Sequence, residues 1–291
     1  MRVNSRVGAP PGAAPTPSAL PTVNVSGYLF VPVDDPEALA GRLGRELAAC
    51  AVRGTVLVAP EGVNVALAGD EAAVARAREA LARDARLAPL RLKESRSETP
   101  PFARLEVRVR PEIIAFDGAG RAGAPRAPAV SPDTLARWLD AGRDVLLLDA
   151  RNGYEVATGT FEGALSLDID RFRDFAGAVD AALADGRLDP SVPVVTFCTG
   201  GVRCEKAAPW LLERGFREVW QLDGGVLDWL AARGAERWTG DCFVFDDRVS
   251  VDAALAPTGA ALCPACGAGV RPGAACACAR TEPDDPSRPT P

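Results

Sequence analysis

The residues best placed to do chemistry are Cys198 and the five that follow it. The run Val195-Thr196-Phe197-Cys198-Thr199-Gly200-Gly201-Val202-Arg203-Cys204-Glu205-Lys206 reads as a buried strand ending at a cysteine, a short loop with two glycines, and the start of a helix. Ligands of open α/β sheets bind beyond the carboxyl ends of the strands. At such a place loop N–H groups and the helix N-terminus surround the Cys198 sulfur with positive potential. That environment lowers a thiol pKa from about 8.5 towards neutrality and makes a nucleophile. Thr199, Gly200, Gly201, Val202 and Arg203 are therefore read as an anion-stabilising loop. The glycines let the backbone curl around the sulfur, and Arg203 adds a permanent charge. A second thiol, Cys204, stands six residues on. It is either a partner that exchanges with Cys198 or a small residue packed at the start of the helix.

Composition removes many other chemistries. The chain has 291 residues and no histidine. Ser-His-Asp and Cys-His catalysis, His-ligated zinc and the usual non-haem iron triad are thereby excluded. There is no Gly-rich dinucleotide fingerprint. The eight cysteines do not suit a secreted disulfide framework, because the chain is too long and half of them crowd its last thirty residues. With no apolar secretory core in the first 24 residues, the expected compartment is the reducing cytoplasm. No apolar run reaches the length of about 18 residues that a membrane helix needs.

The net charge is −6, so contact with nucleic acid requires a local patch. Residues 86–110 supply one, with a local charge of +4. Arg91, Lys93, Arg96, Arg104 and Arg108 there, extended by Lys206 at the loop, are the candidate phosphate contacts. The alternative is a solvated strand face. Cys263-Pro264-Ala265-Cys266 with Cys276-Ala277-Cys278 suggests a four-thiolate zinc site, which would be structural because it leaves no open position. The second pair is irregularly spaced, and the alternative is a flexible, reduced thiol tail.

Two α/β units are expected to position these groups. Residues 1–25, rich in Pro, Ala and Gly, read as a disordered leader. Residues 26–110 alternate as β-α-β-β-α-β: a strand at 27–33, a helix from Pro36 capped by Asp35, strands at 54–59 and 63–69, a helix after Asp70, and extended segments at 90–93 and 105–109. That order is the ferredoxin-like, split βαβ arrangement. Glu61-Gly62-Val63-Asn64 is either a plain turn or a surface facing the cleft of the next unit. Residues 111–130 read as a linker. Residues 131–237 alternate helices with apolar strands at 144–149, 194–197 and 218–222, the pattern of a parallel sheet covered on both faces. An extension, 238–280, holds the Cys-rich segment, and 281–291 read as a disordered tail.

The loop resembles a known family. Cys198-x-x-Gly201-x-Arg203 is similar to the active-site loop of rhodanese domains. Asp149-Ala150-Arg151-Asn152-Gly153-Tyr154-Glu155, followed by Gly159-Thr160-Phe161, resembles their D-x-R-x-x-x-E-Y-x-x-G-H-I segment, with Thr160 in place of histidine and the order Tyr-Glu reversed. Asp223-Gly224-Gly225-Val226-x-x-Trp229 resembles their closing motif. Phosphatases on that fold have five residues between Cys and Arg; here there are four, as in the sulfur-handling loop. Together with Cys242-Phe243-Val244-Phe245-Asp246-Asp247-Arg248 and Ala59-Pro60-Glu61-Gly62-Val63-Asn64, these stretches resemble the bacterial tRNA uridine hydroxylase family. The resemblance implies oxygen-dependent conversion of the wobble uridine of tRNA, position 34, to 5-hydroxyuridine. It implies Cys198 as a catalytic cysteine able to hold a persulfide, and Asp149, Arg151 and Glu155 as its support. Molecular oxygen would be co-substrate with a reductant that the sequence does not identify. The partner would be the anticodon region of tRNA, with no role for DNA or membrane. The alternatives are sulfur transfer from thiosulfate or a persulfide without RNA, and a non-enzymatic sulfur carrier.

Overall fold

Strict alternation builds the first sheet. In β2 (Arg53–Ala59) and β3 (Gly62–Gly69), Val56, Val58, Val63, Val65 and Leu67 are buried while Thr55, Leu57, Asn64 and Ala66 face the other way. In the computed structural model, which describes residues 20–116 and 127–280, these strands pair antiparallel. β3 also pairs antiparallel with β1 (Thr22–Phe30). Two helices, α1 (Pro36–Ala49) and α2 (Glu71–Ala82), cover one face, where Leu39, Leu43 and Leu47 of α1 recur every four residues and are all buried. With β4 (Lys93–Ser97) and β5 (Leu105–Val109) the strand order is β4-β1-β3-β2-β5, the ferredoxin-like order with β5 added parallel to β2.

The second unit contains β6 (Ala129–Val130), α3 (Pro132–Asp140), β7 (Leu146–Asp149), α4 (Gly153–Thr158), β8 (Gly159–Phe161), β9 (Leu165–Ser166), α5 (Phe175–Ala184), β10 (Val194–Phe197), α6 (Cys204–Glu213), β11 (Val219–Leu222) and α7 (Gly225–Arg233). Its sheet is fully parallel, in the order β6-β11-β10-β7-β9. All four residues of β10 are buried, because helices cover both faces. Phe175, Val179 and Leu211 from α5 and α6 pack on one side. Leu135, Val226, Trp229 and Leu230 from α3 and α7 pack on the other.

The extension begins with β12 (Trp238–Gly240), antiparallel to β8. A hairpin of β13 (Cys242–Phe243) and β14 (Ser250–Val251) follows, then one of β15 (Ala261–Leu262) and β16 (Gly269–Val270). The loop of the first hairpin reaches back to the first unit. Arg248 Nη1 donates to Ser95 Oγ at 2.8 Å, and the Asp247 N–H to the Pro101 carbonyl at 3.1 Å.

Several boundaries differ from the sequence reading. β1 starts at Thr22, so residues 22–25 belong to the sheet rather than to the leader. β4 lies at Lys93–Ser97 instead of 90–93. Asp35 precedes α1 but makes no side-chain cap; its carboxylate takes Arg86 Nη1 at 2.5 Å. The expected linker is partly built into the fold. Ile113 and Phe116 are buried, Phe116 stacks on Phe172 at 4.8 Å, and residues 129–130 form β6. Residues 1–19 of the leader, residues 117–126 and the tail 281–291 lie outside the described residues.

Candidate active site

Cys198 follows the last residue of β10, where a parallel sheet presents its strand ends. It lies on the wall of a cavity of about 1380 Å³ that all three parts of the chain enclose. The second unit gives the loop 198–203. The uncovered face of the first sheet gives Ser26, Tyr28, Leu57 and Asn64, and the hairpin loop gives Val244, Phe245 and Arg248. A ferredoxin-like sheet needs helices on one face only, and here the free face roofs the cysteine.

The loop is shaped by close backbone approaches. The Gly201 N–H donates to Cys198 Sγ at 3.2 Å, and the Cys204 N–H to the Gly201 carbonyl at 3.0 Å. Gly201 has φ +102°, and a Cβ there would stand 2.8 Å from Tyr28 Oη, which instead donates to Glu205 Oε1 at 3.3 Å. Gly225 lets α7 dock on the same loop. Val226 and Leu227 donate their N–H groups to the carbonyls of Cys198 and Thr199 at 3.0 and 3.1 Å, and a Cβ on Gly225 would strike the Cys198 oxygen.

Burial by itself pushes the Cys198 thiol up. The Cys204 thiol donating to it, the Arg203 charge, and the N–H groups of Arg203 and Gly201 outweigh burial and hold it down, at about 5. The Cys204 thiol moves the opposite way, raised by burial and by the anion it serves. Cys204 is buried at the first position of α6, and both thiols are free. Cys242 is packed as well, its thiol pushed up to about 12 by burial.

Behind the loop stands Glu155. It accepts from Arg203 Nη1 at 2.5 Å, Arg203 Nη2 at 2.7 Å, Thr199 Oγ1 at 3.1 Å and the Asn152 N–H at 3.0 Å. Burial pushes its carboxyl up, but Arg203 wins and keeps it below the usual carboxylate range. Asp149 and Arg151 form a second buried pair, 2.6 Å at its shortest, and Arg151 also donates to the Gly159 carbonyl at 2.7 Å. Thr160 donates to Asp149 at 2.9 Å. Asp149, Arg151 and Glu155 therefore fix α4 and β8 against the loop; among them, Glu155 touches it directly.

The basic candidates divide. Lys206 is only 4% exposed, salt-bridged to Glu61 at 2.9 Å and Glu112 at 3.2 Å, and donates to the Ile114 carbonyl at 2.9 Å. It locks the two units together and does not extend a basic track, which corrects the sequence reading. Glu61 and Asn64 do face the second unit, as one of the two readings of that turn held. Arg96 pairs with Glu71 and Glu94, and Arg104 and Arg108 both pair with Glu106; none of these three arginines lines the cavity. Arg91 and Lys93 line the cavity, Lys93 bound to Asp228 at 2.6 Å. Sequence reasoning missed Tyr28, Asn152, Arg171 and Phe245 as wall residues. None has a local signal beyond its place in a strand or motif.

The four tail cysteines come together. The sulfurs of Cys263, Cys266, Cys276 and Cys278 all lie within 4.8 Å of one another, with Cys263–Cys278 at 3.6 Å and Cys266–Cys276 at 3.5 Å. This cluster can hold a metal ion. The knuckle rests on α4, where the Gly269 N–H donates to Thr158 Oγ1 at 2.9 Å.

Comparison with known proteins agrees with this architecture. Residues 22–113 match the UPF0176 acylphosphatase-like domain, and residues 131–232 the rhodanese-like domain. A tRNA uridine(34) hydroxylase of Bordetella petrii is 47% identical over 82% of this chain and 96% of that protein. One of Xanthomonas campestris is 47% identical over 81% and 94%, and one of Cupriavidus taiwanensis 46% identical over 86% and 90%. With nearly the whole length of each relative covered at that identity, the chain belongs to the tRNA uridine(34) hydroxylase family.

Proposed function

We propose that this chain hydroxylates C5 of the wobble uridine of tRNA, with Cys198 as nucleophile and molecular oxygen as co-substrate. The observation that carries the reading is a lowered thiol on the wall of a cavity enclosed by three parts of the chain. At about 1380 Å³ that cavity exceeds the ordinary small-molecule site of about 300–1,000 Å³. It has room for an extruded nucleotide, and an enzyme acting on a base must take it out of its stack.

In the proposed sequence the Cys198 thiolate adds to C6 of the uracil ring, and the electron pair of the C5–C6 bond moves towards C5 and the O4 carbonyl. C5 then bonds to one oxygen atom of O2. Two electrons from an external donor and two protons carry the other oxygen atom away as water. Loss of the C5 proton and of the thiolate restores the double bond and leaves 5-hydroxyuridine. The chain's own part is to keep Cys198 ionised through Gly201, Arg203 and Cys204, and to cover the reacting atoms with the first sheet. Arg91 and Lys93 are the basic residues retained as phosphate contacts.

Zinc suits the thiolate cluster. Tetrahedral sulfur ligands at about 2.3 Å stand about 3.8 Å apart, close to the separations seen. Cys263, Cys266, Cys276 and Cys278 would hold it as a structural ion that stiffens the support of α4. Among the described residues no helix is long and apolar enough to cross a membrane. Free thiols and a tRNA substrate suit the cytoplasm.

Sulfur transfer is the competing reading. It uses the same thiolate and needs nothing from the first unit, whose cover over Cys198 favours RNA. Nucleoside mass spectrometry of tRNA from cells with and without the gene decides. The expected result is loss of 5-hydroxyuridine and its derivatives, restored by wild type and not by Cys198→Ala. Unchanged tRNA, in a strain without a second route to that nucleoside, would sink the proposal.

A further inference from the structure

Addition of the Cys198 thiolate to C6 moves charge onto the O4 oxygen of the uracil ring, and a site that speeds this step needs a donor facing that oxygen. Several donors near the loop are committed elsewhere. Arg203 spends both terminal nitrogens on Glu155, Lys93 is bound to Asp228 at 2.6 Å, and Asn64 Nδ2 donates to the Ile113 carbonyl at 3.4 Å. Tyr28 differs. Its hydroxyl donates to Glu205 Oε1 at 3.3 Å, well beyond the length of about 2.5–2.7 Å at which a hydroxyl and a carboxylate bind strongly. A bond of that length is readily exchanged for a shorter one.

Tyr28 reaches the cysteine from the other unit. It stands opposite Asn64 in the register of β1 and β3, and it lines the same cavity as Cys198 and Glu205. Gly201 lies between hydroxyl and sulfur. Its N–H donates to Cys198 Sγ at 3.2 Å, and a Cβ on it would stand 2.8 Å from Tyr28 Oη. The missing side chain lets the hydroxyl come down on the loop. Packing does not call for that hydroxyl, since Phe30 meets the ring edge-on at 6.0 Å and a phenyl group would make the same contact. Burial first, then the Glu205 carboxylate and the Cys198 thiolate, push the phenol up and keep its proton in place.

We infer that the Tyr28 hydroxyl is the donor to uracil O4 in the addition step: as Cys198 bonds to C6, the hydroxyl turns from Glu205 to O4 and stabilises the charge that gathers there. The inference rests on the C6 addition in the tRNA reading above. The electron pair of the C5–C6 bond is shared by C5 and O4, the hydroxyl proton remains on Tyr28, and the hydrogen bond is released when the thiolate leaves. Tyr28 is then a catalytic residue supplied by the first unit. Glu205 is a positioning residue that holds the hydroxyl over the loop before the base arrives. Hydroxylation, unlike sulfur transfer, draws on both units at one reacting ring.

Hydrogen exchange at C5 isolates this step, because it needs neither oxygen nor a reductant. In deuterium oxide without oxygen, the adduct takes a deuteron at C5, then loses the original C5 proton and the thiolate, and uridine labelled at C5 is left. The full wild-type chain, given an anticodon stem–loop RNA with uridine at position 34, is expected to label that uridine, as read by nucleoside mass spectrometry. Cys198→Ala should leave it unlabelled. At saturating RNA, Tyr28→Phe should label about 10²–10³-fold more slowly, the loss that follows removal of one donor to a developing oxyanion. Saturation removes any effect on binding, and a hydroxyl that only joined the two units would leave the saturated rate unchanged. The rate of Cys198 alkylation in Tyr28→Phe should equal that of wild type, which shows an intact loop. Labelling by Tyr28→Phe at the wild-type rate, or a loss matched by equally slowed alkylation, would overturn the role of Tyr28 and leave C6 addition standing. Wild type that binds the stem–loop and does not label it would overturn C6 addition and the role of Tyr28 together.

Discussion

Replacing Glu155 by glutamine removes one charge from the site without removing volume. The carboxylate it replaces faces donors on both oxygens: Oε2 accepts from Arg203 Nη1 and the Asn152 N–H, and Oε1 from Arg203 Nη2 and Thr199. A glutamine must turn its NH₂ towards one of these pairs. The oxygen side will keep Arg203 Nη1 and Asn152, since backbone N–H groups cannot reverse, and Thr199 can rotate its hydroxyl to accept. Arg203 Nη2 is then left facing a donor, and a buried guanidinium has lost its counter-charge. Breaking a buried pair from one side costs about 3–5 kcal/mol. With a shift of about 2–4 °C per kcal/mol for a body of 150–250 residues, the thermal midpoint should fall by about 6–20 °C. The thiol should respond in the opposite sense to a simple loss of function. The Arg203 charge is no longer shared with a carboxylate, so the Cys198 thiolate gains and its midpoint falls further. Thermal unfolding by circular dichroism reads the first effect, and the pH profile of iodoacetamide alkylation at Cys198, followed by mass spectrometry, reads the second. A midpoint within 2 °C of wild type, or a thiol that titrates higher, would refute this account of the loop.

Four more outcomes follow, three from the loop and one from the thiolate cluster. In wild type, Cys198 alkylation should be half-maximal near pH 5, and Cys204→Ala, which removes a donor to the anion, should raise that midpoint. Because the folded thiol lies below its unfolded value, its contribution to stability is full above the unfolded pKa and is lost as pH falls towards 5. Stability should therefore rise with pH between about 5 and 8, and Cys198→Ala should flatten that slope; an unchanged slope would refute the assignment. Gly201→Ala forces a side chain onto φ +102° and against Tyr28 Oη, so the Gly201 N–H should leave the sulfur and the alkylation midpoint should rise. A chelator should release one zinc per chain and lower the thermal midpoint, with Cys263→Ser giving the same loss; metal-free protein of full stability would remove the ion from the picture.

What the sequence made legible was local. Cys198, Gly201 and Arg203 are three members of one short loop, so spacing alone predicts that N–H groups and a cation converge on the sulfur. The Leu39-Leu43-Leu47 stripe and the continuous apolar run of β10 likewise carry their burial in their own period. Lys206 shows where that ends. Next to the loop it resembles one more surface cation, but Glu61 and Glu112 approach it only when the two units pack, and three remote segments then bury it. The thiolate cluster was legible as one of two alternatives. Its second pair has an irregular spacing, and the hairpin of β15 and β16 closes the geometry that the spacing obscures. Tyr28, Asn152 and Phe245 take no site role in the sequence reading because each is ordinary among its neighbours: an aromatic in a strand, an amide before a helix, a phenylalanine in an apolar run. Their significance appears when the free face of one sheet covers the strand ends of another. It follows that the groups lowering the Cys198 thiol all belong to residues 131–237, whereas the walls of the cavity beside it come from all three parts of the chain. Sulfur chemistry is thus a property of one unit, and selection of a nucleotide is a property of their assembly.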